Sequence, residues 1–432
     1  MNRRVVVTGA GPVSCVGVGR TEFTAALREG RSGQGPITSF DPTGFAHWNA
    51  CEITDFDPRR WLTVGEPGQV GRATAFAVAA ARLALDDARI DVDALARRPV
   101  LVAVGTCDGE AAELDSLAAT SLRSGLDALS PGDSVRAAPA QLSIRVAIEL
   151  GLSIVEPVTI GTACAAGNYA IGYAFDAIRS GDVDIALCGG AEALSRKLFA
   201  GFYRVGTIAS DACRPFDADR QGILTGEGAG ILVLEDRSAA IARGAPILAE
   251  IIGFGLGCDA VHPVAPDTAS VAETIRTAHR DAGIAPGDVD LISAHGTGTR
   301  LNDTTEVAAI REVFGPAPPP TISIKSMIGH AMGAASAIAA IASITAITAG
   351  FLPPTINHRT TDPLCPIDCV PNDARPATVR VVQNNGLAFG GNNAVILLRA
   401  HSTPDNSGDN MTPRNPHPFD APPRPVHPSS PS

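Results

Sequence analysis

Aromatic residues are scarce, 4% of 432 residues, with two tryptophans and three tyrosines. The core must therefore be built from Ala, Val, Ile and Leu, and 45% hydrophobic content over this length supports one large unit or two closely packed halves. Basic blocks are absent and the formal charge is −11. This excludes nucleic acid and anionic membrane surfaces as partners, since both reward clustered Lys and Arg. No early apolar segment ends in a cleavage site, so neither secretion nor a membrane span is expected. Regular cysteine spacing is missing too. Nine cysteines, an odd number, are scattered through a chain long enough to fold without staples, which points to a reducing, cytoplasmic setting. Cys365 and Cys369 lie close together, but no second Cys or His pair completes a zinc pattern, and no metal is expected.

What is present is an alternation of apolar runs and small-residue turns. Residues 4–11 read as a buried strand ending in glycine. With Gly17 and Gly19 they miss the spacing of a dinucleotide site, and no acidic residue follows at a suitable strand end. Further strands are expected at 100–104, 153–160, 185–189 and 230–234, with helices at 72–88, 140–149 and 168–180. After residue 243 the pattern restarts, with strands at 247–253, 291–294, 321–324, 377–385 and 393–399 and helices at 271–282, 304–314 and 333–349. The expected fold class is α/β, in two similar halves of mixed, mostly parallel sheet packed in layers with helices, spanning 1–245 and 246–401. From 402 to 432 Pro, Asn, Asp and Ser replace branched apolar residues, and a disordered Pro-rich tail is expected.

Four polar sites stand among small residues. Val158-Thr-Ile-Gly-Thr-Ala-Cys164-Ala-Ala-Gly reads as strand, tight turn and helix start, placing the Cys164 sulfur where a helix N-terminus favours thiolate. Ala294-His295-Gly-Thr297-Gly-Thr299, Ser323-Ile-Lys325-Ser-Met-Ile-Gly-His330 and Asn385-Gly-Leu-Ala-Phe389-Gly390-Gly391 supply the others. A lone thiol is ordinarily an inert core residue, but four such sites in one chain are hard to explain as packing. Cys164 is expected from the first half, and His295 and His330 from the second. His262, His279 and His358 read as core histidines. Asp303 and Glu306 suit both a functional role and the first turn of a helix.

With Arg214-Pro-Phe-Asp-Ala-Asp-Arg220 and Gly226-Glu-Gly-Ala-Gly230, these motifs run in the order of the β-ketoacyl-acyl-carrier-protein synthases of the elongating type II kind, which the chain resembles from about residue 3 to 399. The resemblance implies a thiolase-like fold and an acyltransferase activity. In such enzymes a cysteine, matched by Cys164, is acylated from an acyl carrier protein and condenses with malonyl carrier with loss of carbon dioxide, in fatty-acid or polyketide assembly. His295 and His330 match the pair that hydrogen-bonds the malonyl thioester oxygen, Lys325 the active-site lysine, and Phe389 the aromatic gate. The N–H groups of Cys164 and Phe389 match the oxyanion hole, with Gly390 and Gly391 freeing the loop. Thr297 and Thr299 match hydroxyls that bind pantetheine, and Asp303 and Glu306 match supporting carboxylates. No cofactor is implied, because 4'-phosphopantetheine arrives on the carrier protein. A dimer is implied, of identical or of related chains.

Three regions depart from that pattern. Ala339 stands where a glutamate usually joins the lysine network. Leu387 and Ala388 replace the usual Phe and Gly of the gate, and the Cβ of Ala388 is expected to stiffen it. Residues 63–72 lack the family's usual positive charge, leaving Arg59, Arg60, Arg204 and Arg300 to meet an acidic carrier. Alternatives are an acyltransferase that uses Cys164 without decarboxylation, a scaffolding partner of a synthase heterodimer, which normally lacks the cysteine, and a thiolase, which needs a further catalytic cysteine.

Overall fold

The computed structural model describes residues 3–65 and 67–401; the tail reading for 402–432 lies outside them. Ten strands carry the architecture: β1 (Val5–Ser14), β2 (Val100–Thr106), β3 (Val155–Gly161), β4 (Ile185–Glu192), β5 (Gly228–Asp236), β6 (Ala249–Cys258), β7 (Leu291–Ser293), β8 (Thr321–Ile322), β9 (Val381–Leu387) and β10 (Asn392–Arg399). They form the main path of one sheet in the order β8-β7-β9-β10-β6-β1-β5-β4-β2-β3. Counted outward from the junction, the first half reads β1-β5-β4-β2-β3 and the second β6-β10-β9-β7-β8. The two orders are the same topology used twice, joined where Val5, Val6 and Val7 pair antiparallel with Ile251, Glu250 and Ala249.

Pairing is parallel toward the outer edges, β3 to β2 to β4 and β8 to β7 to β9, and antiparallel through the centre. With four parallel and five antiparallel pairings along its main path, the sheet is mixed as expected, but the expectation that it is mostly parallel is corrected. In the second half β10 follows β9 through a short turn and so enters in reverse, whereas in the first half β5 returns antiparallel to β4 after a longer connection that contains the helix Arg196–Val205.

Helices α1 (Arg72–Asp87) and α4 (Thr268–Ala282) cover outer faces of the first and second half, while α2 (Ala166–Ser180) and α6 (Ala335–Ala349) touch each other and strands of both halves. The scarcity of aromatics has its use here. Gly167 lies so close to Ala337 that a Cβ would meet its backbone nitrogen at 2.7 Å, and the Asn168 N–H bonds Ser336 Oγ at 3.0 Å. Larger residues would force the two helix starts apart. The segment Met332–Ala349 is long and apolar enough to cross a membrane by composition alone, but 83% of it is buried inside the protein. Helices Ala111–Ser124 and Pro131–Arg136 were not expected; Leu114, Leu122 and Val135 on them are exposed, so no buried stripe marks them.

Candidate active site

Parallel strands aim their carboxyl ends at one region, and the chemistry-bearing residues lie just beyond them, as in other open α/β sheets. After β3 the chain makes a 3₁₀ turn, Ala163–Ala165, before α2, with Cys164 at its middle. After β8 come Lys325, His330 and a second 3₁₀ turn, Met332–Ala334, before α6. The two turns are counterparts in the repeat, and both hold a non-glycine residue at positive φ, Ala163 at 49° and Met332 at 42°. His295 follows β7, and Phe389 follows β9.

One ring nitrogen of His295, one of His330 and the Cys164 sulfur lie within 4.8 Å of one another, all three residues buried. The rings stand edge to face, 5.3 Å between centroids. Their tautomers follow from what faces Nδ1. The Met332 N–H donates to His330 Nδ1 at 3.1 Å, and Lys325 Nζ, which can only donate while charged, lies 3.4 Å from His295 Nδ1. Both neutral rings therefore carry their proton on Nε2 and present N–H donors. Burial first, and the Lys325 ammonium second, hold both histidines well below the usual imidazole range. A Cys-His-His set invites comparison with a metal site, but binding a cation through Nε2 would drive each ring proton onto an Nδ1 that already faces a donor. The set is built to donate.

Cys164 corrects one expectation. Lys325 and the N–H groups of Phe389 and of Cys164 itself favour its thiolate, yet burial dominates and pushes the thiol up to about 11. The sulfur rests as a thiol. Glu192, completely buried at the end of β4, adds to the upward push, and its own carboxyl is raised to about 8 by burial. It gathers the N–H groups of Cys107, Asp108 and Gly333, tying the end of β2 to the turn before α6. Sequence reasoning missed Glu192. The available signal was an acid ending an apolar run, Ile185-Ala-Leu-Cys-Gly-Gly-Ala-Glu192.

Lys325 is buried and donates to the His295 carbonyl at 2.5 Å; burial pulls it below the usual lysine range, opposed first by the Glu306 carboxylate. Ala339 is buried among apolar side chains and offers Lys325 nothing. Asp303 and Glu306 lie on helix α5 (Arg300–Phe314), whose N-cap is Thr299 rather than either acid. Glu306 accepts the N–H groups of His295 and Gly296 at 2.7 and 2.8 Å, and Asp303 those of Phe216 and Gly298 at 2.9 and 3.2 Å. They hold the backbone that presents His295. Arg220, also fully buried, bonds the carbonyls of Thr299 and Arg300 and the Asp362 carboxylate.

Cys164, His295, His330, Thr297, Thr299 and Phe389 line one cavity of about 440 Å³, with Arg300 and exposed Leu301 and Val205 also on its walls. The hydroxyls of Thr297 and Thr299 are 2.9 Å apart. Phe389 is 37% exposed and meets Phe202 of helix α3 (Arg196–Val205), ring centroids 5.4 Å apart. Gly390 and Gly391, with φ of 80° and 81°, turn the chain behind it and are not among the walls. Ala388 has φ −142°, an extended conformation open to any residue, and packs on the cluster of Cys164, Ile223 and Met332. Its Cβ thus faces the pocket without straining the loop. Of the three histidines read as core, His279 is buried, His358 is partly covered, and His262 is exposed, its Nδ1 accepting the N–H groups of Val264 and Ala265. A loop imidazole that can satisfy its own turn needs no core.

Family models for the N-terminal and C-terminal domains of β-ketoacyl synthase match residues 2–240 and 248–359. A 3-oxoacyl-[acyl-carrier-protein] synthase 2 from Synechocystis is 38% identical over 92% of this chain and 98% of its own length. Nodulation protein E from Rhizobium sp. strain N33 is 40% identical over 92% of this chain and all of its own. Among solved structures, the ishigamide ketosynthase/chain length factor is 55% identical with a TM-score of 0.92, covering 93% of this chain and 100% of that one. A type II polyketide ketosynthase in complex with its acyl-carrier protein is 32% identical with a TM-score of 0.85, over 93% and 100%. Repeated thiolase-like halves, a buried Cys-His-His set and these relatives agree, and the chain belongs to the β-ketoacyl synthase family of acyltransferases.

Proposed function

We propose that this chain is the condensing subunit of a type II ketosynthase in polyketide or fatty-acid assembly, in the cytoplasm, acting on acyl chains delivered by an acyl carrier protein. The observation that carries this reading is the convergence of the Cys164 sulfur with two imidazoles fixed as Nε2–H donors. Cys164 attacks the carrier thioester while the N–H groups of Cys164 and Phe389 receive the developing oxyanion, and the pantetheine thiol leaves with the proton. A malonyl carrier then enters. Its carboxyl carbon bond breaks to release carbon dioxide, and the electron pair becomes an enolate whose oxygen accepts from His295 and His330. The enolate carbon attacks the acyl-cysteine carbonyl, and the sulfur is expelled as a thiolate that takes up one proton from solvent to regain the resting thiol. Each N–H donor is worth roughly 3–4 kcal/mol to such a charge in a site shut to water.

Thr297 and Thr299 on the cavity wall suit the amides of a pantetheine arm, and Arg300, Leu301 and Val205 suit contact with the carrier. The 55% identity with a ketosynthase/chain length factor supports a related chain as partner. So does β3, an edge strand whose surroundings expose Ile154 and Tyr173. Intact-mass detection of acyl transfer onto Cys164, followed by malonyl carrier, tests the reading. His295→Ala and His330→Ala are expected to keep acylation and to lose carbon dioxide release at least a hundredfold; acylation with no decarboxylation in the unmodified enzyme would make it a plain acyltransferase.

A further inference from the structure

The polar network does not stop at Glu306. The Asn385 side-chain amide donates to Glu306 Oε1 at 3.0 Å, the Gln383 amide donates to Asn385 Oδ1 at 2.9 Å, and His279 Nε2 lies 2.8 Å from Gln383 Oε1. The four side chains come from three elements. Gln383 and Asn385 stand two apart on β9 and so share a face, His279 comes from α4 and Glu306 from α5. All four are buried.

Such a chain of amides can run in two directions, and here only one is open. Each carboxyl oxygen of Glu306 already accepts a backbone N–H, so Asn385 must turn its NH₂ inward. Its oxygen then faces outward and takes the Gln383 NH₂, which leaves the Gln383 oxygen facing His279 and demands a proton on His279 Nε2. The opposite direction would set the Asn385 oxygen against the carboxylate in a space without solvent, at the cost of two unmade hydrogen bonds. At its inner end, Glu306 holds the N–H groups of His295 and Gly296 and supplies the largest favourable charge to Lys325. Ala339 leaves Lys325 without a carboxylate from α6, so it relies on Glu306 for that support.

We propose that His279 and Gln383 are positioning residues for the decarboxylation step. Together they lock Asn385 with its N–H on Glu306 and so hold the His295 loop and Lys325 in register. The inference rests on the roles given above to His295 and Lys325. It bears on decarboxylation more than on acylation of Cys164, because the relay bonds the histidine loop directly and reaches the sulfur only through the charge of Lys325.

The test uses the full chain and follows two reactions separately, acyl transfer to Cys164 by intact mass and carbon dioxide release from malonyl carrier across pH. Gln383→Met keeps length and removes the amide; it is expected to lower kcat for decarboxylation about tenfold at every pH, with KM unchanged and acylation within twofold. Gln383→Glu carries a sharper signature. Protonated, the new carboxyl can donate to Asn385 and accept from His279, as the amide does; ionised, it confronts the Asn385 oxygen. The titratable groups around it are His279 on α4, itself near Asp288, and Glu306 beyond Asn385. Its decarboxylation is therefore expected to approach the unmodified rate at low pH and to fall as pH rises, a limb absent from Gln383→Met.

Parallel profiles for the two variants, or equal losses of acylation and decarboxylation, overturn the proposal. If Gln383→Glu does not fold, the pair His279→Gln, which retains an N–H donor, and His279→Leu, which does not, makes the same comparison. The first is expected within about threefold of the unmodified enzyme and the second about tenfold down. His295→Ala separates the two layers: full decarboxylation in that variant sinks the reading of the site, whereas its loss beside an unaffected Gln383→Met sinks the relay alone.

Discussion

At Cys164 a helix start, a buried ammonium and two backbone N–H groups all favour thiolate, and burial outweighs them, leaving the thiol at about 11. Alkylation by iodoacetamide should therefore rise about tenfold per pH unit from pH 7 to 10 without levelling off, because the thiolate fraction grows throughout that range. A plateau below pH 9 would contradict this. The same balance explains the histidines. Held well below the usual imidazole range by burial, they are kept as donors by the groups on Nδ1 and not by charge, so the decarboxylation rate should lack a limb between pH 6 and 7. A limb there would assign a charged imidazole to the step.

Individual elements carry their own consequences. Glu192 binds the end of β2 to the turn before α6, and its carboxyl, raised to about 8, keeps a proton in the folded chain that the unfolded chain gives up near its ordinary value of 4.5. More protons are bound folded than unfolded between those values, so this group's contribution to stability falls as pH rises through that window. Glu192→Gln should be less stable overall, since an amide donor would meet backbone N–H groups, but its Tm should change less than that of the unmodified protein between pH 5 and 8. Scanning fluorimetry across that range decides it. Gly333 packs so closely that a Cβ would lie 2.4 Å from the Cys107 nitrogen, and Gly333→Ala should cost about 2 kcal/mol or more in chemical unfolding. At the gate, extended Ala388 faces the pocket, so Ala388→Gly should widen the wall and shift the acyl-enzyme distribution from mixed carriers toward bulkier chains. An unchanged distribution would remove Ala388 from the selectivity of the site.

At the scale of the whole molecule, the edge position of β3 and the exposed Ile154, Tyr173, Leu114, Leu122 and Val135 are apolar surface that a partner chain can cover. Ile154→Glu with Tyr173→Glu should lower the mass of the assembly measured by sedimentation while leaving the Tm of the isolated chain nearly unchanged. An unaltered mass would place the interface elsewhere.

The halves were legible because apolar runs and helical stretches recur after residue 243, and Cys164, His295, Lys325, His330 and Phe389 were legible because each interrupts such a run among small residues at a strand end. Those signals are local, and local patterning dictates strands, helices and turns. Glu192 left only an acid at the end of an apolar run, and Gln383 and the role of His279 left no such mark, since each depends on a partner far away in the chain, as Asn385 does on Glu306 at a separation of 79 and His279 on Gln383 at 104. Only the packed structure could decide that burial overrides the helix start at Cys164 and that Asp303 and Glu306 serve the histidine loop instead of capping α5. It also decided which way the amides of β9 point. The physical reason is common to all three: desolvation and hydrogen-bond direction depend on what closes over a group in space, and that is set by the meeting of elements, not by neighbours in sequence.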